Sequence, residues 1–299
     1  MKLRDASAGS AQAVGTLLKA TFQQWSEHKS PRLAAALAYY TVFAIAPLLV
    51  IVIAIAGLVF GHDAAARQIL GQIGSLTGHN TQAQLSSMIS AASRPKAGII
   101  ATILGVITLI LAASGVVLQL QDALDVIWDV EGKQSGGLWQ TIRTRLLSIG
   151  MLLGLAFLLI VSLAVSAGLS AVNTYTSALV PAAAYLMQFV NVIFDIVILS
   201  LLFAIIYKYL PKAQVSWKDV RVGAVLTAVL FIIGQFLITL YLGKLNASSP
   251  YGDAGALIIL LLWVYYSAQL LLFGAEFTNV WAGKYADRIA PTRSKKQRK

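Results

Sequence analysis

The stretch Leu33–Phe60 reads LAAALAYYTVFAIAPLLVIVIAIAGLVF, and it contains no charged residue. A helix rising 1.5 Å per residue needs about 20 apolar residues to cross a hydrocarbon core of ~30 Å, and this run exceeds that. β-Branched and aromatic residues mix with Leu, Ala and Gly without period-2 alternation, which argues against a β-barrel strand. Five further blocks of the same kind follow: Gly98–Leu118, Leu146–Leu169, Ala182–Ile206, Val222–Leu242 and Gly255–Trp281. The composition agrees with them. Of 299 residues 58% are hydrophobic and only 12% charged, against about 25% charge in an ordinary soluble domain. The expected fold class is therefore all-α, a polytopic membrane protein of six transmembrane helices with additional amphipathic interfacial helices.

Charge sets the expected orientation. Of the 23 Lys and Arg, 19 fall in the N-terminal segment, the second and fourth connections and the tail, and 4 in the other connections. Basic residues accumulate on the cytoplasmic side, so both termini are expected there, in a bacterial inner (plasma) membrane. The division is a cytoplasmic amphipathic segment over residues 1–32, a six-span domain over 33–284 and a basic cytoplasmic tail over 285–299. Residues 1–32 are polar and mixed and the first apolar block exceeds a signal-peptide core, so no cleavable leader is expected. Val14, Leu17, Leu18, Phe22 and Trp25 recur at helical spacing, the pattern of a helix lying on the membrane surface. His62–Lys96 carries two shorter runs of that kind and reads as an outer helical hairpin. Leu120, Leu124, Ile127 and Trp128 lie opposite Asp122, Asp125 and Asp129 on one helix, whose acids are expected to face water.

The chemistry available is narrow. There is no cysteine, and His28, His62 and His79 are spread over both expected sides, so no metal site is read and no cofactor. No P-loop, dinucleotide fingerprint or serine-hydrolase elbow occurs. The chain is not expected to be an enzyme or to bind nucleic acid; its partners are membrane lipids, with anionic headgroups at the basic cytoplasmic surfaces, and a homo-oligomer is compatible with the sequence. Polar groups inside spans are costly and so informative. Asp195 stands near the middle of the fourth span, with Asn191 one turn earlier on the same face. Glu276 lies near the end of the sixth, where Lys208 or Arg221 could pair with it, and Gln269 is in the same span. Tyr39 and Tyr40 bring hydroxyls into the first span, and Pro47 is expected to bend or unwind it near Ala44–Pro47. Asp195, Asn191, Glu276, Tyr39, Tyr40, Pro47 and Gln269 form the candidate ligand-binding set, and no catalytic residue is assigned.

Ordered motifs carry a resemblance. These are Ala36–Leu49, Tyr207-Lys-Tyr-Leu-Pro211, Trp217-Lys-Asp-Val220 with Gly223-Ala224, Tyr251-Gly252 with Gly255-Ala256, Leu262-Trp-Val-Tyr265 and Gly274-Ala-Glu276. Together they resemble the YihY/virulence factor BrkB family over roughly residues 20–285. The resemblance implies a six-helix inner-membrane protein tied to envelope integrity, for which export of lipids or small solutes has been proposed. An older ribonuclease label for that family finds no acid–base or metal constellation here. The reading is a transporter or exporter of a lipid-like or small amphipathic solute with a polar intramembrane site, the alternative being a non-transporting membrane scaffold that supports the envelope.

Overall fold

In a computed structural model, the structure describes residues 2–77, 79–92, 114–130, 150, 154, 183–213, 215–246 and 253–289. Every regular element among them is a helix. In chain order these are α1 (Lys2–Glu27), α2 (Ser30–Phe60), α3 (His62–Thr77), α4 (His79–Ala92), α5 (114–127), α6 (Ala183–Tyr209), α7 (Trp217–Asn246) and α8 (Asp253–Ile289). Four are long and apolar enough to cross a membrane, over Ser30–Leu58, Phe189–Tyr209, Trp217–Tyr241 and Leu257–Gly283. These correspond to the first, fourth, fifth and sixth expected spans. Most of the second and third expected spans lies outside the described residues, as does the tail from residue 290. The last helix runs to Ile289, so the segment expected to be tail from 285 begins inside it.

The long helices form a row. α2 packs on α8, α8 on α7 and α7 on α6, while α1 lies across the C-terminal part of α8. α3 and α4 pack on each other and on α2, the helical pair expected after the first span. Two buried clusters result. One joins α2, α5, α6, α7 and α8 through Ala34, Leu37, Leu124, Ile127, Phe203, Tyr207, Ala224, Ala228 and Leu272. The other joins α2, α3, α4 and α8 through Ile53, Ala56, Ile69, Leu85 and Leu260. α6 contributes to the first only from its C-terminal half.

Two local expectations change. α2 continues as one helix through Pro47 and is not unwound at Ala44–Pro47. A proline removes one backbone donor and crowds one carbonyl, and the remaining turns, buried on one side against α8, keep the helix continuous. Asp125, expected on a wet face, is buried instead. Its Oδ2 lies 2.8 Å from Lys212 Nζ, and its Oδ1 accepts the Lys212 backbone N–H at 2.8 Å. A buried carboxylate is tolerated when paired and hydrogen-bonded, and the loop after α6 supplies both partners.

Candidate functional site

The ends of the helices that carry the basic connections are tied by polar contacts. Gln121 Nε2 donates to Leu210 O at 3.0 Å, and Asn279 Nδ2 donates to Ile127 O at 2.7 Å. Lys208 Nζ donates to Val215 O across the α6–α7 loop. Tyr207, fully buried, donates to Leu271 O at 2.7 Å and lies 3.1 Å from Thr227 Oγ1. Each contact satisfies a group that would otherwise be buried without water.

α7 and α8 cross at unusually close range through two matching segments, Gly223-Ala-Val-Leu-Thr227 and Gly274-Ala-Glu-Phe-Thr278. A Cβ on Gly223 would lie 1.7 Å from Thr278 Oγ1, and one on Gly274 would lie 1.8 Å from Thr227 Oγ1. Each threonine thus occupies the space left by the other helix's glycine. Each hydroxyl also donates to the carbonyl of its own helix's glycine, at 2.7 Å in both cases. Small residues let membrane helices approach closely, and the hydroxyls are satisfied within their helices. The repeated Gly-Ala-x-x-Thr pattern is the sequence signal for this contact, and the motifs Gly223-Ala224 and Gly274-Ala-Glu276 each hold a piece of it.

Glu276 sits inside the second segment and is fully buried. Its partner is neither Lys208 nor Arg221. His28 Nδ1 lies 2.9 and 3.1 Å from the two carboxylate oxygens, and Ser30 Oγ donates to Oε1 at 2.9 Å. The elbow between α1 and α2 brings both residues there: Lys29 takes the left-handed conformation (φ 54°, ψ 38°) and turns the chain between the helices. Lys208 is committed to its loop carbonyl and Arg221 is exposed. Residues 248 positions apart could not be paired from spacing.

The other candidates lie elsewhere. Asp195 is exposed on α6 and Asn191 half-buried one turn away. Tyr39 and Tyr40 are exposed on α2, with the Tyr39 ring 4.7 Å from that of Phe43. Pro47 is half-buried, and Gln269 Oε1 is buried with no hydrogen-bond partner among the described residues. No hydrogen bond or ion pair joins Asp195, Asn191, Glu276, Tyr39, Tyr40 and Gln269 to one another among the described residues. No group of His, Asp and Glu suited to a metal occurs among those residues either.

A bundle of long apolar helices, tied at one end by buried polar contacts, defines a multi-pass helical membrane protein. The sequence profile of the virulence factor BrkB family matches residues 21–299, and the chain belongs to that family. It is 27% identical over 261 residues to a UPF0761 membrane protein of Pseudomonas aeruginosa LESB58, covering 83% of this chain and 58% of that one. A UPF0761 membrane protein of Actinobacillus pleuropneumoniae is 24% identical, covering 88% and 92%. A Bacillus subtilis protein named as ribonuclease-like, YfkH, is 23% identical, covering 87% and 93%. The chain spans a little over half the length of the Pseudomonas relative. No solved structure matches it.

Proposed function

We propose that this protein moves a lipid-like or small amphipathic solute across a bacterial inner membrane, with both termini cytoplasmic and without enzymatic chemistry, a cofactor or nucleic acid. The observation that supports this reading is the exposed carboxylate of Asp195 in the midst of an apolar span. A lone charge facing lipid at mid-membrane costs ~2.5–3.5 kcal/mol even on the lenient insertion scale. A face carrying Asp195 and Asn191 is better accommodated by a wetted recess, which a polar headgroup could enter. The scaffold reading draws on a different observation, the tightly knotted helix ends around Glu276 and Asp125.

The absence of cysteine makes the test direct, since each introduced cysteine reports one position. Asp195→Cys and Asn191→Cys are expected to react with a membrane-impermeant maleimide. Ile193→Cys and Val197→Cys, on the opposite side of α6 by helical geometry, are expected to be protected. In proteoliposomes Asp195→Asn should then lower flux of a fluorescent phospholipid or amphipathic dye while leaving the melting temperature near wild type. Protection at residue 195, or full flux in the Asn variant, overturns the reading.

A further inference from the structure

Three side chains lead from solvent to a fully buried carboxylate. Asp129, just after α5, has its side chain 84% exposed, His28 18% and Glu276 0%. Asp129 Oδ1 lies 3.8 Å from His28 Nε2, and the other ring nitrogen, Nδ1, lies 2.9 Å from Glu276 Oε1. The imidazole therefore stands between the two acids with one nitrogen toward each. Its position is held by the elbow: the His28 backbone N–H donates to Gln24 O and that of Lys29 to Ser26 O. Histidine is the side chain whose ordinary charge change falls near neutral pH, and its two nitrogens allow uptake on one side and release on the other.

A purely structural clamp would be served better by a permanent cation, because breaking a buried pair leaves an uncompensated charge. Lys208 and Arg221 are the cations expected for this carboxylate, yet among the described residues Lys208 is bonded to Val215 O and neither pairs with Glu276. The titratable groups that face Glu276 are His28 from the α1–α2 elbow and Asp129 beyond it. α2 offers the hydroxyl of Ser30, and among the described residues α7 brings no ionised nitrogen within 4.0 Å.

We propose that Glu276 is a proton-binding site filled from the cytoplasmic side through His28. For its use this rests on the transport reading, to which it adds the proton as coupling ion. In the resting pair Glu276 is ionised and Nδ1–H of His28 donates to it. A proton from solution, gathered at Asp129, binds Nε2. The Nδ1 proton passes to Glu276, leaving a neutral acid and a neutral imidazole protonated on Nε2. Loss of the carboxylate charge weakens its hold on His28 and Ser30. Glu276 lies between Gly274 and Thr278 at the close crossing of α7 and α8, so its charge state reaches the start of α2 and the docking of α1 together.

The test uses the full chain in lipid nanodiscs, with infrared difference spectra after a pH jump from neutral to mildly acidic. A carbonyl band of a protonated carboxylic acid should appear, shift when the three glutamates (Glu27, Glu131 and Glu276) are isotope-labelled, and vanish in Glu276→Gln. In His28→Gln, which keeps a donor but cannot relay, the band should keep its amplitude and rise roughly 10²-fold more slowly, the low end of what a positioned proton-transfer group contributes. A band that does not shift on labelling, one that persists in Glu276→Gln, or a wild-type rate in His28→Gln overturns the proposal. Should Glu276→Gln fail to fold, the labelling shift and the His28→Gln rate decide alone. A normal band in a protein that shows no flux at all would leave the proton site standing and remove transport. Flux without the band would do the reverse.

Discussion

At Gly223 and Gly274 a single methyl group is enough to disturb the molecule. An alanine Cβ at either position would fall within 2 Å of a threonine oxygen on the facing helix, and the threonine Cβ behind it is 2.8 Å away. Neither threonine is a flexible side chain that could swing clear, because each hydroxyl is bonded to its own helix and β-branched rotamers are stiff. Gly223→Ala and Gly274→Ala are each expected to cost about 1–3 kcal/mol, as overpacking of a well-filled contact does. Adding Thr278→Ala to Gly223→Ala should recover part of that loss, a coupling that thermal unfolding of the four-variant cycle in detergent would measure. Additive losses would show that the close crossing is not the seat of the stability. Asp125→Ala tests a second buried contact. It leaves the Lys212 N–H and ammonium without their acceptor and is expected to cost about 1–3 kcal/mol, where an unchanged melting temperature would place Asp125 in water.

The elements differ in how much of them was legible. Four long apolar helices and the helical pair α3–α4 followed from runs of residues close in sequence, since each satisfies its backbone hydrogen bonds locally and lipid demands that it do so. The continuity of α2 through Pro47 did not follow, because the proline's local effect competes with packing along the whole helix. An interior proline costs about 3 kcal/mol or more in an ordinary helix, so Pro47→Ala is expected to raise the melting temperature; a fall would mean that packing needs the shape proline imposes. For α1, the helical spacing of Val14, Leu17, Leu18, Phe22 and Trp25 identifies an apolar face, while the structure splits it. Leu17 is buried with Phe277 and Val280, whereas Val14, Leu18 and Phe22 stay exposed. Leu17→Ala or Phe277→Ala should therefore loosen α1 and speed proteolysis at the elbow near Lys29, and Val14→Ala should not. Equal cleavage in all three would mean that α1 is held by something other than this contact.

Over the whole molecule, the basic residues predict a fixed orientation. Reporter fusions after residues 80, 175 and 248 are expected to score outside, and those after 134, 214 and 290 inside; one robust reversal would break the six-span arrangement. Of the candidate site, the sequence singled out Glu276 as an intramembrane acid, and it named Lys208 and Arg221 as partners because a fixed cation is the cheapest guess for a buried carboxylate. Class, helical content, the four long spans and the expectation of sidedness were determined by the sequence alone, because hydrophobicity and backbone bonding in lipid are local properties of a run of residues. The pairing of His28 and Ser30 with Glu276, of Lys212 with Asp125, and of each glycine with the other helix's threonine was decided only by the tertiary structure. Those contacts depend on helix rotation and on which helices are neighbours, and residues far apart in the chain meet only once the bundle has closed.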